Sequence, residues 1–122
     1  MKRLINMCLA KLHRLTVTGA DLDYEGSITI DSAILEKAGL LPGQMVQITN
    51  LSNAVLWRTY IVAGKEGEVV LNGPPARHFQ KGDKIIVLAE VWVDCEEAKD
   101  MRPTIVFVNE KNQITQVKCP RN

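Results

Sequence analysis

The chain of 122 residues is long enough for one hydrophobic core and too short for two, which excludes a multidomain enzyme and leaves a single domain over 1–122. Hydrophobic residues make up 46% and charged residues 24%, the balance of an ordinary globular protein rather than of a disordered or membrane chain. Fifteen basic against fourteen acidic side chains give a net charge of +1, so no charge excess draws the chain to nucleic acid or to an anionic membrane surface.

The first fifteen residues carry Lys2, Arg3, Lys11, His13 and Arg14 and no acid, which raises a targeting peptide or a basic amphipathic helix. Asn6 interrupts the short apolar part and no small-residue cleavage pattern follows, so neither reading holds. From residue 14 onward, β-branched residues in short alternating runs between Gly, Pro and Asn predict about seven short strands, a small mostly-β domain with one or two short helices. Thr16 to Thr18 is the first clear strand, and an acidic turn through Asp21, Asp23 and Glu25 leads to Gly26-Ser27 and a strand at Ile28 to Ile30. Asp31 or Ser32 then caps a helix whose stripe is Ile34, Leu35 and Ala38 and whose end is Gly39.

Val46 to Thr49 and Val55 to Val62 form a hairpin about Ser52-Asn53, and Gly64 to Gly67 turns the chain into Val69 to Leu71. Asn72-Gly73-Pro74-Pro75 is a rigid loop, because two prolines remove two backbone donors. Lys84 to Trp92 is the strongest strand, and its apolar stretch covers only about half a bilayer. A helical turn in Glu96 to Met101 stopped by Pro103, then a hairpin of Thr104 to Val108 with Ile114 to Val117, complete the chain before four frayed residues. Leu41 to Val46 and Gln80 to Ile85 both put Gly and a polar residue ahead of a strand, 39 positions apart. That echo fits either a pseudo-symmetric barrel or a common pre-strand turn.

Cys8, Cys95 and Cys119 make an odd count without a close pair, which points to a reducing cytoplasm rather than a disulfide scaffold. His13 and His78 stand away from acids and cysteines, so no metal-ligand spacing occurs. Walker, Gly-x-Ser-x-Gly and dinucleotide motifs are absent as well. Asp94, Glu96 and Glu97 read as a solvated acidic loop before they read as a cation site.

Tyr24-Glu25-Gly26-Ser27 stands out. A Gly-Ser pair reads first as a turn, but Gly26 also permits a strained backbone on which the Ser27 hydroxyl can attack the Gly26 carbonyl. The ester so formed, lost by β-elimination, leaves dehydroalanine, and hydrolysis then gives an N-terminal pyruvoyl group, a ketone able to accept electrons.

In order along the chain stand Lys11-Leu12-His13-Arg14, Thr16-Val17-Thr18, Ala20-Asp21-Leu22, Tyr24 to Ser27, Ile30-Asp31, Ala38-Gly39, Asn50, Asn53, Thr59-Tyr60, Asn72-Gly73, Ala76-Arg77 and Gly82-Asp83. As an ordered set these residues resemble the pyruvoyl-dependent aspartate 1-decarboxylases, over most of residues 1–92 and fading beyond. The resemblance implies a double-psi β-barrel, a cytoplasmic homotetramer with sites between subunits, and cleavage into chains of 26 and 96 residues, with or without a helper protein. It implies decarboxylation of L-aspartate to β-alanine for pantothenate synthesis, with the pyruvoyl group from Ser27 forming a Schiff base with the substrate amine. Tyr60 matches the proton donor, Thr59 the residue steadying the Gly26 carbonyl, Lys11 a pocket cation, and Asn72 with Gly73 the polar wall. His13 is a lesser pocket candidate, and Trp57 and Trp92 read as core or interface aromatics.

Three departures bear on the substrate. Leu56 stands where the family has an arginine for the substrate carboxylate, Pro74-Pro75 replace two small residues of the pocket loop, and Thr49 replaces an aromatic residue. Arg58 is two residues from Leu56 and shares its face with Tyr60, so it is the candidate substitute. A self-processing decarboxylase for another amino acid and a non-enzymatic binding barrel are the alternatives.

Overall fold

In the computed structural model, which describes residues 2–119, nine strands and two short helices follow one another. The elements are β1 (Leu4–Thr16), β2 (Gly19–Asp21), β3 (Ser27–Asp31), α1 (Ser32–Ala38), β4 (Met45–Asn50), β5 (Leu56–Gly64), β6 (Val69–Asn72), β7 (Lys84–Asp94), α2 (Cys95–Ala98), β8 (Thr104–Val108) and β9 (Ile114–Lys118), with a 3-10 turn at Pro74–Arg77. The strands form one mixed sheet in the order β2-β6-β3-β5-β4-β7-β1-β8-β9. Three pairs, β1 with β8, β2 with β6 and β3 with β5, are parallel. This is the mostly-β architecture of a double-psi barrel.

Period-two alternation builds the core. Ala10 and Leu12, Ile28 and Ile30, Val46 and Ile48, Ile85 and Val87 all point inward and are buried, together with Ile34 and Leu35 of α1. Asp31 caps α1 by accepting from the Ala33 N–H at 2.8 Å, and Gly39 closes it in the left-handed conformation, as the sequence predicts.

The first strand is a correction. Thr16 ends a 13-residue strand instead of opening one, and Val17 and Thr18 lie beyond it. Its alternation is broken by register shifts between Cys8 and Ala10 and between Leu12 and Leu15, with Arg14 at φ 61, so the apolar pattern slips phase twice. Asn72 likewise belongs to β6 rather than to a loop, and the two prolines open the 3-10 turn. The frayed end expected at the last four residues falls mainly on 120–122, outside the described residues.

The echo is real in geometry. Gly43 N–H donates to Ile61 and Ile61 N–H to Gln44, while Gly82 N–H donates to Val17 and Val17 N–H to Asp83. Gln44 and Asp83 also close their own loops, their side chains accepting from the N–H of Leu41 and of Gln80.

Candidate active site

Ser27 opens β3 opposite Asn72 of β6, and Ile28 faces Leu71 on one side and Ile61 of β5 on the other. Because Ile28, Ile61 and Leu71 point into the core, Ser27, Thr29, Asn72 and Tyr60 lie on the opposite face of the sheet. Continuing the parallel register backward sets Ser27 level with Tyr60 and Gly26 level with Thr59. Thr59 is buried on the core side and Tyr60 is 37% exposed, so the two flank the level of the dipeptide from opposite faces.

Ser27 is fully buried. Its hydroxyl donates to the Glu25 carbonyl at 3.3 Å and accepts from Asn72 Nδ2 at 3.0 Å. The cover is the loop at residues 73–75. Gly73 has φ 78 and ψ −146, and a Cβ there would lie 2.7 Å from the Gly26 Cα and 2.9 Å from its nitrogen. Only glycine fits that conformation and that approach. Pro74 Cδ lies 3.7 Å from where a Cβ on Gly26 would sit, so it packs beside the dipeptide. Pro75 is buried and its carbonyl accepts from the N–H groups of His78 and Phe79, a structural duty.

Leu56, Arg58 and Tyr60 alternate outward along β5 as the sequence predicts. Arg58 Nη1 donates to Glu90 Oε2 of β7 at 2.9 Å, and Asn6 Nδ2 donates to Glu90 Oε1 at 2.7 Å. The Asn6 and Arg58 hydrogen bonds hold the Glu90 carboxyl below the usual carboxylate range. The candidate substitute for the missing arginine thus has one of its donors engaged within the chain.

Lys11 is placed differently. It pairs with Leu88, Leu88 with Gln47, and Gln47 with Arg58, a row across β1, β7, β4 and β5. The sheet order puts three strands, β5, β4 and β7, between Lys11 on β1 and Ser27 on β3. His13 lies on the same strand, edge-on to Phe107 with ring centroids 5.2 Å apart. Burial, then the charges of Lys11 and Arg14, lowers its pKa, which favours a neutral packed imidazole. One copy therefore unites Gly26, Ser27, Thr59, Tyr60, Asn72, Gly73 and Pro74 at one end of β3 and leaves Lys11 and His13 on another strand.

Several other residues of the ordered set are structural. Asn50 donates to His78 O at 2.9 Å and to Asp83 Oδ2 at 2.8 Å, and Asn53 also donates to His78 O. Two residues that sequence reasoning passed over belong to the site's surroundings: Thr29, which accepts from Asn72 Nδ2 at 3.0 Å, and Glu90. The period-two spacing of Ser27 and Thr29 was the available signal for the first, while only strand register reveals the second.

The family model for aspartate decarboxylase matches residues 3–115, well past residue 92, where the resemblance fades in the sequence reading. The chain is 46% identical over 112 residues to an aspartate 1-decarboxylase of Bdellovibrio bacteriovorus, covering 92% of this chain and 90% of that one. It is 50% identical over 116 residues to an aspartate 1-decarboxylase of Syntrophus aciditrophicus, covering 93% and 98%. With a buried Ser27 directly after Gly26 at the head of β3 and relatives matching along nearly their whole length, the chain belongs to the aspartate decarboxylase family.

Proposed function

We propose that this chain cleaves itself between Gly26 and Ser27, carries the pyruvoyl group formed from Ser27, and decarboxylates L-aspartate to β-alanine and carbon dioxide in pantothenate synthesis. The observation that carries the reading is the buried Ser27 hydroxyl, held between the Glu25 carbonyl and the Asn72 amide directly after a glycine that Gly73 packs against. Family membership makes the chain a decarboxylase and leaves the binding-barrel alternative without support.

The residues present fit the group. Ser27 Oγ attacks the Gly26 carbonyl carbon, the C–N bond breaks, and the freed amine keeps the proton that Oγ gives up. Thr59, level with Gly26 and buried, is the donor proposed to steady the carbonyl oxygen as charge gathers on it. Elimination then expels Gly26 as a carboxylate, and water replaces the resulting enamine nitrogen as ammonia. When formed, the pyruvoyl ketone supplies a carbonyl for the substrate amine and a sink for the electrons of the departing carboxylate. Tyr60, on the open face beside Ser27, holds the proton returned to the substrate carbon. Asn72, Gly73 and Pro74 form the wall against that face.

Leu56, Met45, Tyr60 and Trp92 are exposed on one side of the sheet, an apolar surface that suits contact between copies. We assign it to a homotetramer in which Lys11 of one copy reaches the Ser27 end of the next. No helix among the described residues is long enough and apolar enough to cross a membrane. Cys8 and Cys95 carry free thiols, in keeping with a cytoplasmic location.

An intact-mass spectrum under denaturing conditions tests the reading. Fragments of 26 and 96 residues, summing to the precursor plus water minus ammonia, are expected from the native sequence and a single species from Ser27→Ala. A native chain that stays whole overturns it. Leu56, together with the engagement of Arg58 by Glu90, favours as second reading a less acidic amino acid, decided by comparing carbon dioxide release from aspartate and from uncharged amino acids.

A further inference from the structure

Thr29 stands two residues beyond Ser27 on the same face of β3. Its Oγ1 accepts from Asn72 Nδ2 at 3.0 Å, and the same nitrogen donates to Ser27 Oγ at 3.0 Å. An amide nitrogen carries two hydrogens, so each hydroxyl takes one and the amide plane is fixed at two points. Thr29 is itself held in place. A Cβ at Gly64 would lie 2.6 Å from Thr29 Cγ2, so the methyl occupies room left by the missing side chain, and a β-branched residue has few other rotamers. Asn72 is buried, so losing the Thr29 hydroxyl would strand one amide hydrogen and invite the amide to turn.

We propose that Thr29 is a positioning residue for self-cleavage, holding Asn72 so that its N–H stays on Ser27 Oγ through the elimination step. The inference rests on the self-cleavage reading above. In that step the Cα proton of residue 27 passes to a base from solvent and its electron pair forms the Cα=Cβ bond. The Cβ–Oγ bond breaks, and its pair leaves on Oγ, now an oxygen of the Gly26 carboxylate. An N–H aimed at Oγ meets that charge as it develops. Without Thr29 the preceding ester should form and wait.

The experiment follows intact mass over time, with and without hydroxylamine, which cleaves an ester to a hydroxamate on Gly26 and leaves serine on the other fragment. Thr29→Val is expected to slow formation of the pyruvoyl fragment about tenfold, the size of one lost buried hydrogen bond, and to raise the hydroxamate fraction. Thr29→Ser, which keeps the hydroxyl, is expected to restore the rate. Gly64→Ala should slow cleavage by displacing the Thr29 methyl and should recover when combined with Thr29→Ser, a pair that keeps the question answerable should the valine variant misfold. Cleavage of Thr29→Val at the native rate, or equal slowing by valine and serine, overturns the proposal. A native chain that never cleaves defeats the self-cleavage reading instead, a distinct result.

Discussion

At position 73 a methyl group would meet backbone on two sides, the Gly26 Cα at 2.7 Å and the Tyr24 carbonyl oxygen at 3.1 Å, and backbone cannot swing aside as a side-chain tip can. Gly73→Ala is therefore expected to cost about 2 kcal/mol or more, from strain and displacement together, and to delay cleavage. A lowered urea midpoint checks the first effect and a mass time course the second. Arg58→Ala is expected to abolish turnover of aspartate while leaving cleavage intact, whereas Glu90→Gln, which loosens the ion pair, should lower KM for aspartate. Steady-state carbon dioxide release measures both, and unchanged kinetics in Arg58→Ala would remove that residue from the pocket. Ser27, Thr59 and Tyr60, the residues proposed for the chemistry, could be singled out in the sequence because each sits in a short distinctive string. Thr29 and Glu90 were not, because their meaning lies in what the register sets beside them, Asn72 and Arg58, more than thirty positions away.

Strands and turns divide in the same way. Helix α1 could be read residue by residue, since a cap, a stripe and a closing glycine are all local signals. β1 could not, because its two register shifts conceal the alternation that defines a strand. The paired turns at Gly43 and Gly82 lay between these cases: their spacing was visible, but their matching hydrogen bonds depend on Ile61 of β5 and on Val17 just after β1, both distant in sequence. Asp83 locks the second turn. Burial alone raises its carboxyl, but the Gln80 N–H and the side chains of Asn50 and Ser52 donate to it and hold it below the usual range. A lowered carboxylate stabilises the fold fully above its unfolded pKa of about 3.9, and that contribution is lost as pH falls through the folded value. Asp83→Asn should accordingly melt lower than the native chain at pH 7, with the gap narrowing below about pH 4 in thermal scans.

Over the whole molecule, the sequence carried the mostly-β class and singled out the Gly26-Ser27 pair proposed for cleavage, while the long-range order of the sheet came only from structure. That order matters for what a cut would leave behind. β1 lies between β7 and β8, bonded on both edges, and β2 is bonded to β6. A chain severed after Gly26 loses one covalent link, yet β1 stays paired on both edges inside the sheet and β2 stays paired to β6 at its edge. What changes is the molecularity of folding. Before the cut, a denatured chain returns by a first-order route. Afterward two separate polymers must meet, so recovery becomes second order and fades with dilution, and at matched low concentrations the Ser27→Ala chain should regain β-structure where the mature protein does not. Cleavage would thus act as a ratchet: the fold is reached once, as a single polymer, and thereafter persists through the slowness of its unfolding.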